Sequence, residues 1–261
     1  MKSAEFEVNN EKCTGCGLCL DVCPGNMVGG SVLKLEDGKP VMVNQTKFGW
    51  RGCWSCQHCM AICPTEAISI LGVKPEDVTG KPAPETADEL AKLMAYRRSC
   101  RDFKKDDVDK ETIDKIMDAV SAVPTGGNNQ SLEFSVVYTR DAMKKIYQAV
   151  CGKPGDDFSD LRIYDAPHLF IAHKPIGGRF SDGGMTEINL ATGYFELMAN
   201  ASGLGTIIST YAAEQLSKNK EALEILGIPK NHKFTTVVGF GYPKYNYARG
   251  IKKERPVKKV F

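Results

Sequence analysis

The 261-residue chain has no run of about 18 consecutive apolar residues, which excludes a membrane-spanning helix. Its opening stretch, MKSAEFEVNNEKC, lacks the apolar core of a secretion signal, so a cytoplasmic location is expected. A charge surplus is missing as well: the formal net charge is +2, too small to argue for a nucleic-acid partner. No G-x-x-x-x-G-K-[ST] loop occurs. Gly203-Leu204-Gly205 lacks a third glycine and follows a helical pattern, the reverse of a dinucleotide-binding turn. No Ser/His/Asp or Cys/His constellation is evident, so no side chain is assigned a catalytic role. What is present is ordinary globular composition, 42% hydrophobic and 25% charged, enough to bury a core.

Cysteine is the exception to this plainness. Ten cysteines without a secretion signal point to metal or redox chemistry, not structural disulfides. All but Cys100 and Cys151 lie before residue 64, and they form a repeat. Cys13, Cys16, Cys19 and Cys23, followed by Pro24, have the spacing C-x2-C-x2-C-x3-C-P. Cys53, Cys56, Cys59 and Cys63, followed by Pro64, have the same spacing. Three cysteines at two-residue gaps wrap one loop around three corners of a cubane cluster. The fourth begins the next segment and ligates the other cluster. One [4Fe–4S] cluster is therefore expected on Cys13, Cys16, Cys19 and Cys63, the other on Cys53, Cys56, Cys59 and Cys23. Zinc sites use two C-x2-C pairs and four ligands, a poor match to two complete runs.

Around these runs the pattern is of short strands. Val32–Leu35 and Pro40–Val43 suggest a hairpin about Asp37-Gly38, and Ala67–Ile70 a strand closing a small sheet. Most of residues 8–70 resembles bacterial two-cluster ferredoxins, with a longer insert at 24–52. His58 reads as a loop residue beside the second cluster, and Trp50 and Trp54 as hydrophobic shielding.

Residues 73–85 contain Pro75, Gly80, Pro82 and Pro84 and read as a stiff linker between a domain at 1–72 and a second at 86–261. Thr86-Ala-Asp-Glu89 has the form of a capping box opening a helix. Further helices are expected after Asp109, over 141–150, over 186–202 and over 214–226. Strands are expected around Phe134–Tyr138, His168–Ala172 and Lys233–Gly241. The fold class is α+β with a mostly buried sheet. The front holds 7 Lys/Arg against 9 Asp/Glu through residue 80, the remainder 27 against 23, so the back is mildly basic.

Two stretches of the second domain suit an anionic, ring-bearing cofactor. Arg97, Arg98, Ser99 and Arg101 place three guanidiniums and a hydroxyl within five residues, a set that matches phosphate oxygens. The plainer reading is a solvated helix end favoured by the helix dipole. Pro124-Thr125-Gly126, with Asn128 and Gln130 beyond, is a polar turn rich in backbone donors. Together with Gly203–Tyr211, Val238–Pro243, Arg249 and Arg255, these stretches resemble, in order, the FMN-dependent nitroreductase family over about residues 86–260.

The resemblance implies a homodimer with FMN at its interface. Arg97, Arg98, Ser99 and Arg101 would hold the phosphate and ribityl chain, with Arg249 or Arg255 adding charge. Pro124, Thr125, Gly126 and Asn128 would reach the flavin of the other subunit, and Ser209, Thr210 and Tyr211 would lie near its N5 edge. The whole chain thus resembles a ferredoxin-fused nitroreductase. It would be an oxidoreductase taking electrons from a ferredoxin or similar low-potential donor, through the clusters and FMN, to a small molecule such as a nitroaromatic or quinone. The competing reading is an electron-transfer or redox-sensing module whose acceptor is another protein.

Overall fold

The computed structural model describes residues 5–44, 52–83, 86–177 and 184–252. The chain divides into two units, Met1–Pro82 with Gly127–Asn129, and Ala83–Gly126 with Gln130–Phe261.

The first unit contains β1 (Phe6–Val8), α1 (Leu18–Asp21), α2 (Pro24–Met27), β2 (Leu33–Glu36), β3 (Lys39–Met42), α3 (His58–Ala61) and β4 (Ile68–Ile70). β1 and β4 pair antiparallel with Phe6 opposite Ile70, and β2 and β3 form the expected hairpin with Glu36 opposite Lys39. Asp37 (φ 48°) and Gly38 (φ 76°) both lie in the left-handed region, the two-residue turn that matches strand twist. The core is small: Cys19, Cys23, Cys53 and Cys59 pack with Val32, Leu33, Met60, Ile68 and Ile70. Four cysteines are thus as much a part of this core as its aliphatic residues, so what the thiols hold governs the unit's stability.

The second unit contains α4 (Thr86–Tyr96), α5 (Lys110–Val120), β5 (Glu133–Val137), α6 (Arg140–Cys151), β6 (His168–Pro175), α7 (Gly184–Ala201), β7 (Gly205–Ser209), α8 (Thr210–Ser217), α9 (Lys220–Ile225), β8 (His232–Lys233) and β9 (Val237–Gly241). The strands form an antiparallel sheet in the order β5-β6-β9-β7, with β8 also paired to β6. β6 is buried on both faces, and its alternation divides the core. Leu169 and Ile171 pack with Met143, Ile146 and Leu216 from α6 and α8, whereas Phe170 and Ala172 pack with Ile113, Ile116 and Phe195 from α5 and α7. Helices therefore cover both faces of the sheet. The second unit is thus an α+β sandwich, and the first is ferredoxin-like.

Two expected elements are each two. The helix expected over 214–226 is α8 and α9, because the Asn219 side chain accepts from Ala222 N (2.8 Å) and starts a new helix. The strand expected over 233–241 is β8 and β9. Between them Phe234 turns into the core and the Thr236 hydroxyl meets that of Thr192 (2.8 Å). The helix expected to open on a Thr86 cap already has Thr86 as a helical residue.

His168 locks the buried strand to its surroundings. Val108 N donates to its Nε2 (2.9 Å), so Nδ1 carries the proton and donates to Val137 O (3.2 Å). Burial pushes its pKa down, against the nearby Asp107 carboxylate. A second proton would have to displace the Val108 bond. The folded pKa lies below the unfolded one, so the contribution is whole above about pH 6.5 and is lost as pH falls. Thermal melts between about pH 7 and pH 5 are expected to lose at most about 1.4 kcal/mol per pH unit from this group. The His168→Gln protein should be less stable throughout and show a flatter pH dependence.

Candidate functional site

In the first unit each cysteine loop makes the same backbone shape. Gly15 (φ 71°) and Gly17 (φ 80°) follow Cys13 and Cys16; Ser55 (φ 53°) and Gln57 (φ 59°) occupy the equivalent left-handed positions after Cys53 and Cys56. The second loop adopts this shape without glycine, at a cost of roughly 1–2 kcal/mol per residue. Gly17 and Gln57 then cap α1 and α3, which carry Cys19 and Cys59.

Two small pockets of equal size result. One is lined by Cys13, Cys16, Cys19 and Cys63, the other by Cys23, Cys53, Cys56 and Cys59. All eight thiols are free of disulfides. The donor set fits a cubane cluster in each cavity. Burial raises the pKa of Cys19 and Cys56 and pushes that of Cys59 up to about 12, with the neighbouring thiols adding to the shift. Four such thiols become thiolates together only around a cation. At Cys63 the Ala67 and Thr65 backbone N–H groups outweigh burial and lower the pKa, and Ala67 N donates to the sulfur at 3.3 Å. Ser55 N donates to Cys53 Sγ (3.4 Å), and the buried Ser55 hydroxyl has no partner among the described residues, as a donor awaiting a sulfide would. His58 is the first residue of α3 rather than a loop residue, and with Trp54 it lines the second cavity. Trp50 lies outside the described residues.

In the second unit α4 ends at Tyr96, and the arginines leave it in different directions. Arg97 forms an ion pair with the half-buried Glu196 (2.7 Å). Arg98 donates to Ala95 O (2.8 Å) and to its neighbour Arg97 O, capping the helix end. Ser99 pairs with Thr206 beside β7, and Cys100 N donates to Thr206 O (2.7 Å). Gly205 permits that approach, because a Cβ there would stand 2.8 Å from Cys100 Sγ. Among the described residues Arg101 donates only a 3.4 Å bond, to Ser99 O, and lies 5.9 Å from the Tyr164 ring.

Arg98, Arg101, Asn200, Gly205, Tyr245 and Tyr247 are among the residues lining an open pocket at the start of β7. Cys100 also lines it, with its pKa pushed up to about 11 by burial. Arg249 is exposed and does not line the cavity, although Ile251 N donates to Ala95 O (3.1 Å) and returns that segment to the end of α4. Arg255 lies outside the described residues.

Ser209, Thr210 and Tyr211 stand at the other end of β7, four residues on, or about 13 Å at 3.3 Å per residue. The Ser209 hydroxyl is buried; it donates to Leu161 O (3.0 Å) and accepts from Ala212 N (3.0 Å), so it serves as the cap of α8. Thr210 and Tyr211 are exposed in the first turn. β7 itself is an edge of the sheet.

The Pro124–Gln130 turn is pinned at both ends. Gln130 N donates to Thr125 Oγ1 (3.0 Å), and Gly126 N to Glu187 Oε1 (2.6 Å). Pro124 is exposed. Asn128, which belongs with the first unit, donates from Nδ2 to Trp54 O (2.8 Å). Glu187 was not legible as a site residue. It is buried on α7, and its other oxygen binds the buried Lys174 ammonium at 2.6 Å. Glu187 and Glu196 are the two charged residues of an otherwise uncharged helix, and that is the signal that marks it. Breaking a buried pair leaves an uncompensated charge, at a cost of about 3–5 kcal/mol. Glu187→Ala should lose that much in urea denaturation, whereas Glu187→Gln, which keeps the bond to Gly126, should lose clearly less.

Residues 94–242 match the nitroreductase family, and residues 12–67 match the 4Fe-4S dicluster domain. The chain is 29% identical over 159 residues to an Archaeoglobus fulgidus protein provisionally named NADH dehydrogenase/NAD(P)H nitroreductase, covering 60% of this chain and 87% of that one. It is 40% identical over 75 residues to an uncharacterized ferredoxin of Methanocaldococcus jannaschii, covering 28% of this chain and 87% of that one. The Bacteroides fragilis nitroreductase with bound FMN shares the fold at a TM-score of 0.55 and 18% identity, covering 66% of this chain and 98% of that one.

Proposed function

The chain belongs to the nitroreductase family, and from that premise we propose that it is an iron–sulfur flavoprotein oxidoreductase with two [4Fe–4S] clusters and FMN. When bound, the clusters supply one-electron carriage from a ferredoxin-type donor and the flavin supplies reduction of an electron-poor small molecule such as a nitroaromatic or quinone. The observation that carries the reading is the pair of cavities in which each set of three cysteines is completed by the fourth cysteine of the other run.

The chain's own residues have distinct tasks. Cys13, Cys16, Cys19 and Cys63 hold one cluster; Cys23, Cys53, Cys56 and Cys59 hold the other. Arg98 and Arg101, with Ser99, would hold the FMN phosphate, and Thr210 and Tyr211 in the exposed first turn of α8 would lie near the flavin. Arg97 acts from behind through Glu196. Arg249 or Arg255 adds positive charge.

A homodimer completes the site. α4 buries none of its side chains, and Leu90 (41%), Met94 (52%), Leu190 (41%) and Tyr194 (41%) leave apolar surface on α4 and α7 exposed. A second copy would cover it and bring Pro124, Thr125, Gly126 and Asn128 to the flavin of its partner. The cluster domain is taken as residues 1–72, the linker as 73–85 and the flavin domain as 86–261.

Anaerobic purification followed by iron, sulfide and flavin analysis tests the cofactor set. Full occupancy of both clusters with one FMN per chain, and nitroaromatic reduction driven by reduced ferredoxin, are expected. A flavin-free protein, or one that uses NAD(P)H while its clusters stay oxidised, contradicts the reading.

A further inference from the structure

The far edge of the large sheet gathers three metal-ligating side chains that the flavin and cluster sites do not use. Glu133 on β5 stands directly opposite His173 on β6, and His232 on β8 stands opposite Pro175 of the same strand. One ligand atom of each side chain lies within 4.8 Å of the others. The His173 and His232 Nδ1 atoms are 2.8 Å apart, and Glu133 Oε2 is 3.9 Å from His232 Nδ1. Both imidazoles are buried, while the Glu133 side chain is 58% exposed. We propose that Glu133, His173 and His232 bind a divalent transition-metal ion of the zinc type, through both Nδ1 atoms and the carboxylate.

A count of protons favours this arrangement. The Ser135 hydroxyl donates its one hydrogen to Leu226 O (2.9 Å). It must therefore accept from His173 Nε2, 3.0 Å away. That fixes the proton of neutral His173 on Nε2 and leaves an Nδ1 lone pair aimed at His232. His232 Nδ1 then carries the one proton between the rings in the metal-free protein; to ligate, neutral His232 moves that proton to its Nε2, so that both Nδ1 lone pairs face the cation. Two imidazoles and a carboxylate are a ligand set used by zinc. The rings must separate by about half an ångström to place both nitrogens at the usual 2.0–2.1 Å from zinc. The Ser135 hydroxyl provides the hydrogen bond that orients a ligating histidine. Three protein ligands leave a position on the exposed Glu133 side open to water.

The proposal is independent of the flavin and cluster reading. Cluster- and flavin-loaded protein is dialysed anaerobically against Zn2+, and bound zinc is counted beside iron. Zinc X-ray absorption then gives the ligand shell. One equivalent of zinc with nitrogen and oxygen neighbours near 2.0–2.1 Å, and none of the sulfur near 2.3 Å that cluster cysteines would give, is expected. His232→Ala should lose that equivalent with iron unchanged. Should that protein fail to fold, the exposed Glu133→Gln and the hydrogen-bond variant Ser135→Ala are each expected to weaken uptake at least about tenfold. A sulfur shell, no uptake by the wild type, or equal uptake by Glu133→Gln and Ser135→Ala would overturn the proposal.

Discussion

Replacing Cys56 with Ala is expected to lower ferredoxin-driven turnover at least about a hundredfold, equivalent to roughly 2.7 kcal/mol of barrier. Dithionite-driven turnover should stay near the wild-type level. Cys56 lines the second cavity with Cys23, Cys53 and Cys59, and three thiols cannot close four iron corners. The loss spreads through the first unit, because its core is built from the same cysteines. It need not reach the second unit, whose two hydrophobic clusters contain none of the eight. Dithionite reduces flavin directly, so the two donors separate the roles. Equal loss with both donors would mean that the cluster unit serves only to hold the protein together.

Arg101→Ala should raise the FMN dissociation constant about 10- to 150-fold, the worth of about 1.5–3 kcal/mol for a hydrogen bond to a charged group. Of the cluster at 97–101, Arg101 has least to do elsewhere, since among the described residues its one hydrogen bond, to Ser99 O, is 3.4 Å long. Arg97 offers the internal comparison. Its guanidinium is committed to Glu196, which also accepts from the Thr206 hydroxyl (3.3 Å). Arg97→Ala should therefore lower thermal stability first and flavin affinity only through the displaced Ser99–Thr206 contact. Fluorescence quenching on FMN titration, read beside thermal melts, distinguishes the two. Equal affinity in Arg101→Ala and wild type would remove Arg101 from the phosphate site.

Much of this architecture was legible because it is local. The repeated cysteine spacing, the Asp37-Gly38 turn and the period of α5 and α6 each depend on residues close in sequence. Asn219 was also a local signal, a helix cap inside what reads as one continuous helix. The arginine cluster was legible as a group of charges but not as three separate tasks. Partners such as Glu196 and Tyr164 lie far along the chain. The same holds for Glu187, which joins Lys174 and Gly126 across the fold, and for His173 and His232, brought together only by strand register. Spacing along a sequence cannot report such contacts, because a sheet sets neighbours by pairing.

The central claim is that electrons enter at the cysteine-held clusters and leave from the flavin. Rapid anaerobic mixing of the oxidised protein with a small excess of reduced ferredoxin, followed by absorbance of clusters and flavin, tests it most directly. The account predicts that cluster bleaching comes first and flavin bleaching follows, and that flavin bleaching by ferredoxin disappears in Cys56→Ala. Flavin bleaching that precedes the clusters, or that persists at the wild-type rate in Cys56→Ala, would contradict it.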